Sequence, residues 1–421
     1  MTNRPTQPQA LTDIMEKGYK MPEKEFNPNL LYSYVPRKSN KYVELERKSV
    51  EESTTSQIIN TRQHKVGFCF DGSFLPIRNG CAYNIYNLMR TLSETEEVDS
   101  NLILCDRGSD KPDLYHGQDF NTVFTQQRDY YSDTGVIEKM IADLNIDIIQ
   151  LYSSEAVLNL APRIKKAGKK IVFEIQNIDH ILYERLGRSS TAIQASKLLQ
   201  EKAIKLSDFV LCRSDVDRSL ALELGASPDK VDTYRGGIKT KDIEFKARTD
   251  ITGNMVLLGH MYYDPNINAL TTIAEEILPS LPENFNLTVI GSAPEEVKNR
   301  YSSQRIIFKD GVDDISKELQ NYEIGLAPLY EGSGTRLKIL DYMASGLHVL
   351  STNIGVEGLD NDISSVIHIE DNSKNYSKII NEISKNTPTH LLKTFQARKY
   401  VVSRYDWSNC LEPFFNAYSK L

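Results

Sequence analysis

The run Glu331-Gly-Ser-Gly-Thr-Arg-Leu-Lys-Ile-Leu-Asp-Tyr-Met-Ala-Ser-Gly346 places several chemistry-bearing residues at useful spacings. Ser333, Gly334 and Thr335 form a glycine-rich loop, and backbone N–H groups of such a loop and of the helix start after it bind phosphate. Arg336 and Lys338 add positive charge to the same place. Asp341 can accept hydrogen bonds from sugar hydroxyls. A diphosphate joined to a ribose is the ligand that this set suits. Leu337, Leu340 and Met343 recur at helical spacing, and Gly346 supplies a stop. An apolar strand pattern, Ile324–Leu329, leads into the loop, and a second strand starts at His348.

The elements that must hold these residues alternate along the chain. Strand patterns at Val66–Phe70, Leu102–Cys105, Ile146–Leu151, Ile171–Ile175 and Phe209–Cys212 are separated by helical patterns. Those helices are predicted at Ala82–Leu92, Val136–Leu144, Ala156–Ala167 and Ala192–Leu206. Alternation of this kind implies a parallel sheet with helices on both faces. The pattern restarts at Met255–Gly259 and continues through strands at Leu287–Ile290, Ile306–Phe308, Ile324–Pro328, Val349–Ser351 and Val366–Ile369. Helices fit Asn266–Leu278, Ile315–Asn321 and Arg336–Ala344. Two consecutive doubly wound units, with ligands at the carboxyl ends of their strands, predict a cleft between them. Lys239–Asn254 reads as the connection between the units. Residues 1–60 read as a polar extension with short helices at Leu11–Lys17 and Val43–Val50. The predicted divisions are 1–60, 61–240, 241–400 and a terminal helix over 401–421.

At 421 residues the chain fits two domains of ordinary size. A formal net charge of −7 argues against a nucleic-acid partner, which would leave a basic footprint. No apolar run approaches the ~18 residues that span a bilayer, and the amino terminus is polar rather than signal-like. The five cysteines are scattered without metal-ligand spacing, which suits small buried hydrophobes in a reducing cytoplasm. The basic run Arg163–Lys170 reads as a helix carboxyl terminus, with contact to an anionic membrane face as its alternative.

The stretch 331–352 closely resembles the donor-binding motif of retaining nucleotide-sugar glycosyltransferases of the glycogen synthase and bacterial mannosyltransferase type. The resemblance covers roughly residues 65–421 and is strongest from 250 to 360. It implies the GT-B fold, an α/β arrangement of two Rossmann-like doubly wound domains facing across a cleft, with the terminal helix packing back on the first domain. It also implies site residues, position by position. The loop Asp71–Gly80 lies where a glycine lets the backbone approach donor phosphate or acceptor, with Gly80 as a plain turn residue of positive φ as the alternative. Arg78 in that loop would meet an acidic acceptor or simply be solvated. Gln176 occupies the place of a histidine that faces the donor sugar, and His180 lies four residues on. Gly237 keeps the glycine of the family's Pro-Asn-Gly-Val turn, and Arg235 near it would face the diphosphate or an anionic acceptor, with a plain surface arginine as the alternative. Gly259 opens the second domain without the arginine and lysine that many relatives place after it, so the diphosphate falls to Arg336 and Lys338. Val312, in Gly311–Asp314, sits where the nucleobase is cupped, with a simple strand–helix turn as the alternative. Many relatives carry two glutamates with seven residues between them. Counting back from Asp341 that spacing lands on Ser333, with Glu331 two residues farther.

The reading is a glycosyltransferase that moves a sugar from a nucleotide-diphosphate sugar to a glycan, glycolipid or protein acceptor, with retention of configuration. No cofactor and no metal is implied, because the basic pair and the helix ends already provide positive charge. The expected location is the cytoplasm, with attachment to the inner membrane face and oligomerisation through the extension left open. Two rivals remain: a nucleotide-sugar epimerase, for which Gln176 lacks a titratable group, and a non-catalytic partner subunit of the same fold.

Overall fold

The computed structural model describes residues 43–45, 64–72, 74, 75, 77, 80–106, 112–115, 118–126, 131, 135–312, 314–332, 336–385 and 387–421. They divide into two compact units. One comprises the described residues up to Ile77 together with Met89–Tyr234 and Glu412–Leu421. The other comprises the described residues of Arg78–Leu88 and Arg235–Leu411.

In chain order the first unit holds β1 (Val43–Leu45), β2 (His64–Asp71), the second half of α1 (Gly80–Ser93), β3 (Val98–Asp106), β4 (Asn121–Gln126) and α2 (Val136–Asp143). It continues with β5 (Ile148–Leu151), α3 (Ser154–Lys166), β6 (Lys170–Glu174), α4 (Asp179–Arg185), α5 (Ser190–Leu206), β7 (Phe209–Cys212), α6 (Asp215–Glu223) and β8 (Val231–Thr233). The sheet order is β1-β4-β3-β2-β5-β6-β7-β8. Every pairing is parallel except that of edge strand β1, which runs antiparallel to β4 with Val43 opposite Phe124. Buried strands read as continuous apolar runs because helices cover both faces. That is why β5 and β7, buried at every position, are plain in the sequence.

The second unit holds β9 (Asn254–Leu258), α7 (Asp264–Thr272), β10 (Asn286–Ile290), α8 (Glu295–Tyr301), β11 (Ile306–Lys309), α9 (Ile315–Leu319) and β12 (Ile324–Ala327). It then adds α10 (Leu337–Ser345), β13 (His348–Ser351), β14 (His368–Ile369), α11 (Tyr376–Lys385) and α12 (Thr387–Arg404). Its six strands are all parallel, in the order β11-β10-β9-β12-β13-β14. The chain fills the sheet outward from β9 in one direction and from β12 in the other. The carboxyl ends of these two strands therefore flank the topological switch point, where doubly wound folds bind ligands. The last helix, α13 (Glu412–Ser419), belongs to the first unit, where Phe414 packs edge-on against Tyr234 at 4.8 Å.

Several expectations need correcting. Val43–Leu45 of the expected helix Val43–Val50 is a strand, because pairing to the open edge of β4 outweighs weak helical periodicity. Leu11–Lys17 lies outside the described residues. Lys239–Asn254, expected to connect the units, belongs to the second of them. Arg248 is buried there and donates to the carbonyls of Tyr322 at 2.6 Å and Leu319 at 3.0 Å, fastening the segment to the second unit. The terminal helix starts at Glu412, since α12 fills the second unit as far as Arg404. Helix α7 is shorter than expected: a π-turn over Ile273–Ile277 and a 3₁₀ turn at Leu278–Ser280 complete the predicted span. Gly346 does end α10, at φ 84°, and a Cβ there would lie 2.4 Å from the Lys246 carbonyl oxygen, so only glycine fits.

His348 and His368 open β13 and β14, and His390 of α12 lies beside them, its ring centroid 6.5 Å and 5.3 Å from theirs. His348 is buried, with Nε2 lacking a hydrogen-bond partner, and burial together with neighbouring His390 holds its pKa down to about 4. A folded pKa below the unfolded value means that the unfolded chain binds more protons on acidification, so stability is lost as pH falls below about 6.5. His348→Gln removes one such proton. Between pH 6.5 and 4 the variant should lose stability less steeply than the parent, by about 1.4 kcal/mol per pH unit. Parallel denaturant titrations across that range test it, and equal slopes would refute it.

No helix among the described residues is long and apolar enough to cross a membrane. None of the five cysteines is in a disulfide, and four are buried.

Candidate functional site

At the end of β9 the backbone turns sharply. Gly259 has φ 146°, a Cβ on it would lie 2.6 Å from Asn266 Nδ2, and a Cβ on Gly291 would lie 2.5 Å from the Gly259 carbonyl oxygen. Two strand-end loops therefore pass at backbone contact distance, which glycine alone permits. Asn266, in the first turn of α7, donates from Nδ2 to the His260 carbonyl at 3.0 Å. Its Oδ1 accepts from Lys338 Nζ at 2.7 Å. One amide thus ties the loop after β9 to the first turn of α10.

Arg336 is buried and caps the amino end of α10 without a side-chain cap bond. The loop reaches it through Gly332, at φ 103°, where a Cβ would stand 3.0 Å from an Arg336 terminal nitrogen and 3.1 Å from Tyr263 Oη. Burial and the nearby Arg336 charge pull Lys338 down to about pKa 7. Burial and the Lys338 charge likewise depress His260. The Arg336 and Lys338 charges repel each other, and an anion between them would relieve that repulsion.

One turn farther along α10, Asp341 is 8% exposed, and its Oδ1 accepts from Tyr83 Oη at 3.2 Å. Burial raises its pKa to about 7, and the tyrosine hydrogen bond opposes the rise. Arg336, Lys338, Asp341 and the Gly259 loop therefore converge at the switch point of the second sheet. Glu331 is held by α7: its Oε1 accepts from Asn268 Nδ2. Val312 is partly buried against the apolar cluster of this unit, next to Gly311 at φ 67°. Ser333, Gly334 and Thr335 lie outside the described residues, as does Arg78.

Two further residues of the second unit are engaged in ways the sequence did not suggest. Arg235 forms an ion pair with Asp360 at 3.1 Å. Gly237 is not a residue of positive φ; a Cβ on it would lie 2.9 Å from the Trp407 ring, so the glycine makes room for that indole.

In the first unit, Gln176 belongs to a buried polar network. Its Nε2 donates to Glu174 Oε1 at 2.7 Å, and its Oε1 accepts from Arg213. Glu174 is fully buried and also accepts from Tyr234 and, at 2.6 Å, from Gln150, which in turn accepts from Tyr418 of α13 at 2.6 Å. Burial raises the Glu174 pKa, and Arg213 opposes the rise. His180, in the first turn of α4, is half-buried, and burial followed by Lys197 lowers its pKa. Gly80 is exposed, opens α1 and has no positive φ; that conformation falls to Gly72, at φ 131°. Among the described residues no group of three or more His, Cys, Asp or Glu side chains is placed to hold a metal ion.

Residues that sequence reasoning passed over include Tyr83, Asn268, Tyr263, Arg213 and Asp360. Each acts through a partner distant in the chain, and none carries a local motif.

Residues 252–386, which contain every element of this corner except Tyr83, match the family described as glycosyl transferases group 1. They form a group 1 glycosyltransferase domain. A relative from Klebsiella pneumoniae, an uncharacterized 44.6 kDa protein in the cps region, is 25% identical over 165 residues, which is 36% of this chain and 42% of that protein. The match thus spans less than half of that relative's length. Among solved structures, Anabaena HepE in complex with UDP and glucose is similar with a TM-score of 0.66 at 13% identity, covering 85% of this chain and all of the other. Sucrose-phosphate synthase from Thermosynechococcus elongatus is similar with a TM-score of 0.69 at 11% identity, over 85% of this chain and 98% of the other. Identities this low speak for the fold, and that fold is GT-B. The group 1 match is thus confined to residues 252–386, and the likeness to these solved structures extends the shared fold over most of the chain.

Proposed function

We propose that this glycosyltransferase moves a sugar from a nucleoside diphosphate sugar to a glycan, glycolipid or protein acceptor in the cytoplasm, with retention at the anomeric carbon. The observation that carries the reading is the Arg336–Lys338 corner, two crowded cations at the switch point with the buried carboxyl of Asp341 one turn away. HepE, a protein of the same fold, has been solved with UDP and with UDP-glucose, which supports a nucleotide sugar as donor.

In the proposed reaction Lys338 and Arg336 neutralise charge that develops on the departing diphosphate, an electrostatic contribution that grows toward the transition state. The sugar passes through an oxocarbenium-like state, and the leaving phosphate itself takes the acceptor proton. Gln176 is restrained by Glu174 and Arg213, so any contact it makes with the donor sugar is that of an oriented amide rather than a base.

Because the corner supplies its own positive charge, transfer should persist in excess EDTA. Complete loss, restored by Mg²⁺ or Mn²⁺, would show that the diphosphate is neutralised by other means. The test of the reading as a whole is a thermal-shift screen of the purified chain against UDP, GDP, ADP and their sugars, followed by donor turnover. A specific ligand raises apparent stability by mass action. No shift with any of them, and no turnover, would reject it.

A further inference from the structure

Asp341 is a buried carboxyl with only half of its hydrogen-bonding capacity used. Tyr83 occupies Oδ1, and among the described residues nothing hydrogen-bonds Oδ2. No basic side chain contributes to its titration; burial and Tyr83 are the influences on it. Taking a carboxylate out of water with a single neutral partner costs free energy that well-packed apolar residues would avoid. A ligand that completes the hydrogen bonding is the simplest reason to keep it.

Tyr83 stands where such a ligand would meet it. It lies in the first turn of α1, in the half of that helix that belongs to the second unit. Its ring packs against the apolar cluster that includes Leu337 and Leu340 of α10, and Asn87 Nδ2 donates to its carbonyl at 3.0 Å. Burial and Asp341 keep the hydroxyl protonated. A phenol has one proton and two acceptor lone pairs. The proton goes to Asp341 Oδ1 and the Asn87 side-chain amide takes one lone pair, which leaves the tyrosine oxygen one acceptor position beside Asp341 Oδ2.

A vicinal diol has the complementary pattern: two adjacent hydroxyls, each with a proton to donate. We infer that Tyr83 is a specificity-determining residue of the donor site, its hydroxyl oxygen accepting from one ribose hydroxyl while Asp341 Oδ2 accepts from the other. The inference rests on the proposed nucleoside diphosphate site and adds to it a reader from outside the group 1 domain. An aspartate, one methylene shorter than the glutamate of many relatives, needs such a helper to serve both hydroxyls.

The experiment measures dissociation constants of UDP, 2′-deoxy-UDP and 3′-deoxy-UDP for the full chain, its Tyr83→Phe variant and its Asp341→Asn variant. The GDP or ADP series is used instead if the parent binds that base. Melting temperatures check that Tyr83→Phe, which keeps the ring, retains the fold. The parent should discriminate against both deoxy analogues. Tyr83→Phe should bind the ribonucleotide about fivefold more weakly, the scale of one neutral hydrogen bond. It should also lose discrimination against one deoxy analogue while keeping it against the other. Discrimination against both retained, or against both lost together, overturns the inference while leaving the site itself standing. If the parent binds none of UDP, GDP and ADP, the proposed function fails first and this inference fails with it.

Discussion

Alanine in place of Lys338 or of Arg336 should weaken nucleoside diphosphate binding by about 1.5–3 kcal/mol, the scale of a hydrogen bond to a charged group. The double variant should weaken it further, and both effects are expected without loss of the fold. Calorimetric titration reads this directly, and unchanged affinity in the double variant would refute the assignment. The position of Lys338 adds a pH signature. In the free protein its pKa stands near 7, lowered by burial and by Arg336. A bound diphosphate favours the ammonium and raises that pKa, so binding takes up a proton. Affinity contributed by Lys338 is therefore complete below pH 7 and declines as pH rises above it, toward tenfold per unit until the bound pKa is reached. Ionisation of the diphosphate itself works in the opposite direction, so the comparison that decides is with Lys338→Arg. Its guanidinium stays charged, and the decline should vanish in that variant. An identical pH profile for lysine and arginine would mean that residue 338 does not touch the phosphates.

The second large effect is expected at Asp341. Asp341→Asn keeps the shape but removes the charge and replaces one acceptor oxygen by a donor. Binding of the ribonucleotide donor should fall by about 2–3 kcal/mol, and that of a 2′-deoxyribose analogue much less, because the analogue already lacks one partner. Glu331 is the control. It is committed to Asn268 on α7, so Glu331→Gln should leave the discrimination between ribose and deoxyribose unchanged. If Glu331→Gln abolishes that discrimination and Asp341→Asn does not, the loop is aligned wrongly by two residues and Glu331 is the ribose ligand.

What could be read from the sequence follows from how local each cause is. Strands such as β7 and β9 are apolar because they are covered on both faces, and α10 carries its helical period and its glycine stop within ten residues. Arg336, Lys338 and Asp341 are legible because one loop and one helix turn bring them together. β4, Asn121–Gln126, was missed because polar residues outnumber its Val and Phe, and β8 because it has three residues. The fate of Gln176 was illegible, since Arg213 and Glu174 constrain it only once β6 and β7 lie side by side. Tyr83 and Asp341 meet across 258 residues of chain, and no window on the sequence contains both. Gly237 was recognised as necessary for the wrong reason: the constraint is the Trp407 ring, not the backbone turn.

The first unit is discontinuous, since Glu412–Leu421 completes it after the whole second unit has been made. During synthesis, a nascent chain that has emerged as far as Arg404 has built β5, β6 and β8 but holds no Tyr418 to donate to Gln150 and no Phe414 to lie on Tyr234. Buried Gln150 keeps an Oε1 without its Tyr418 donor for the entire time the second unit is being translated. The unit that emerges first is therefore the one that finishes last, and its polar interior closes only when the same molecule already carries its partner unit.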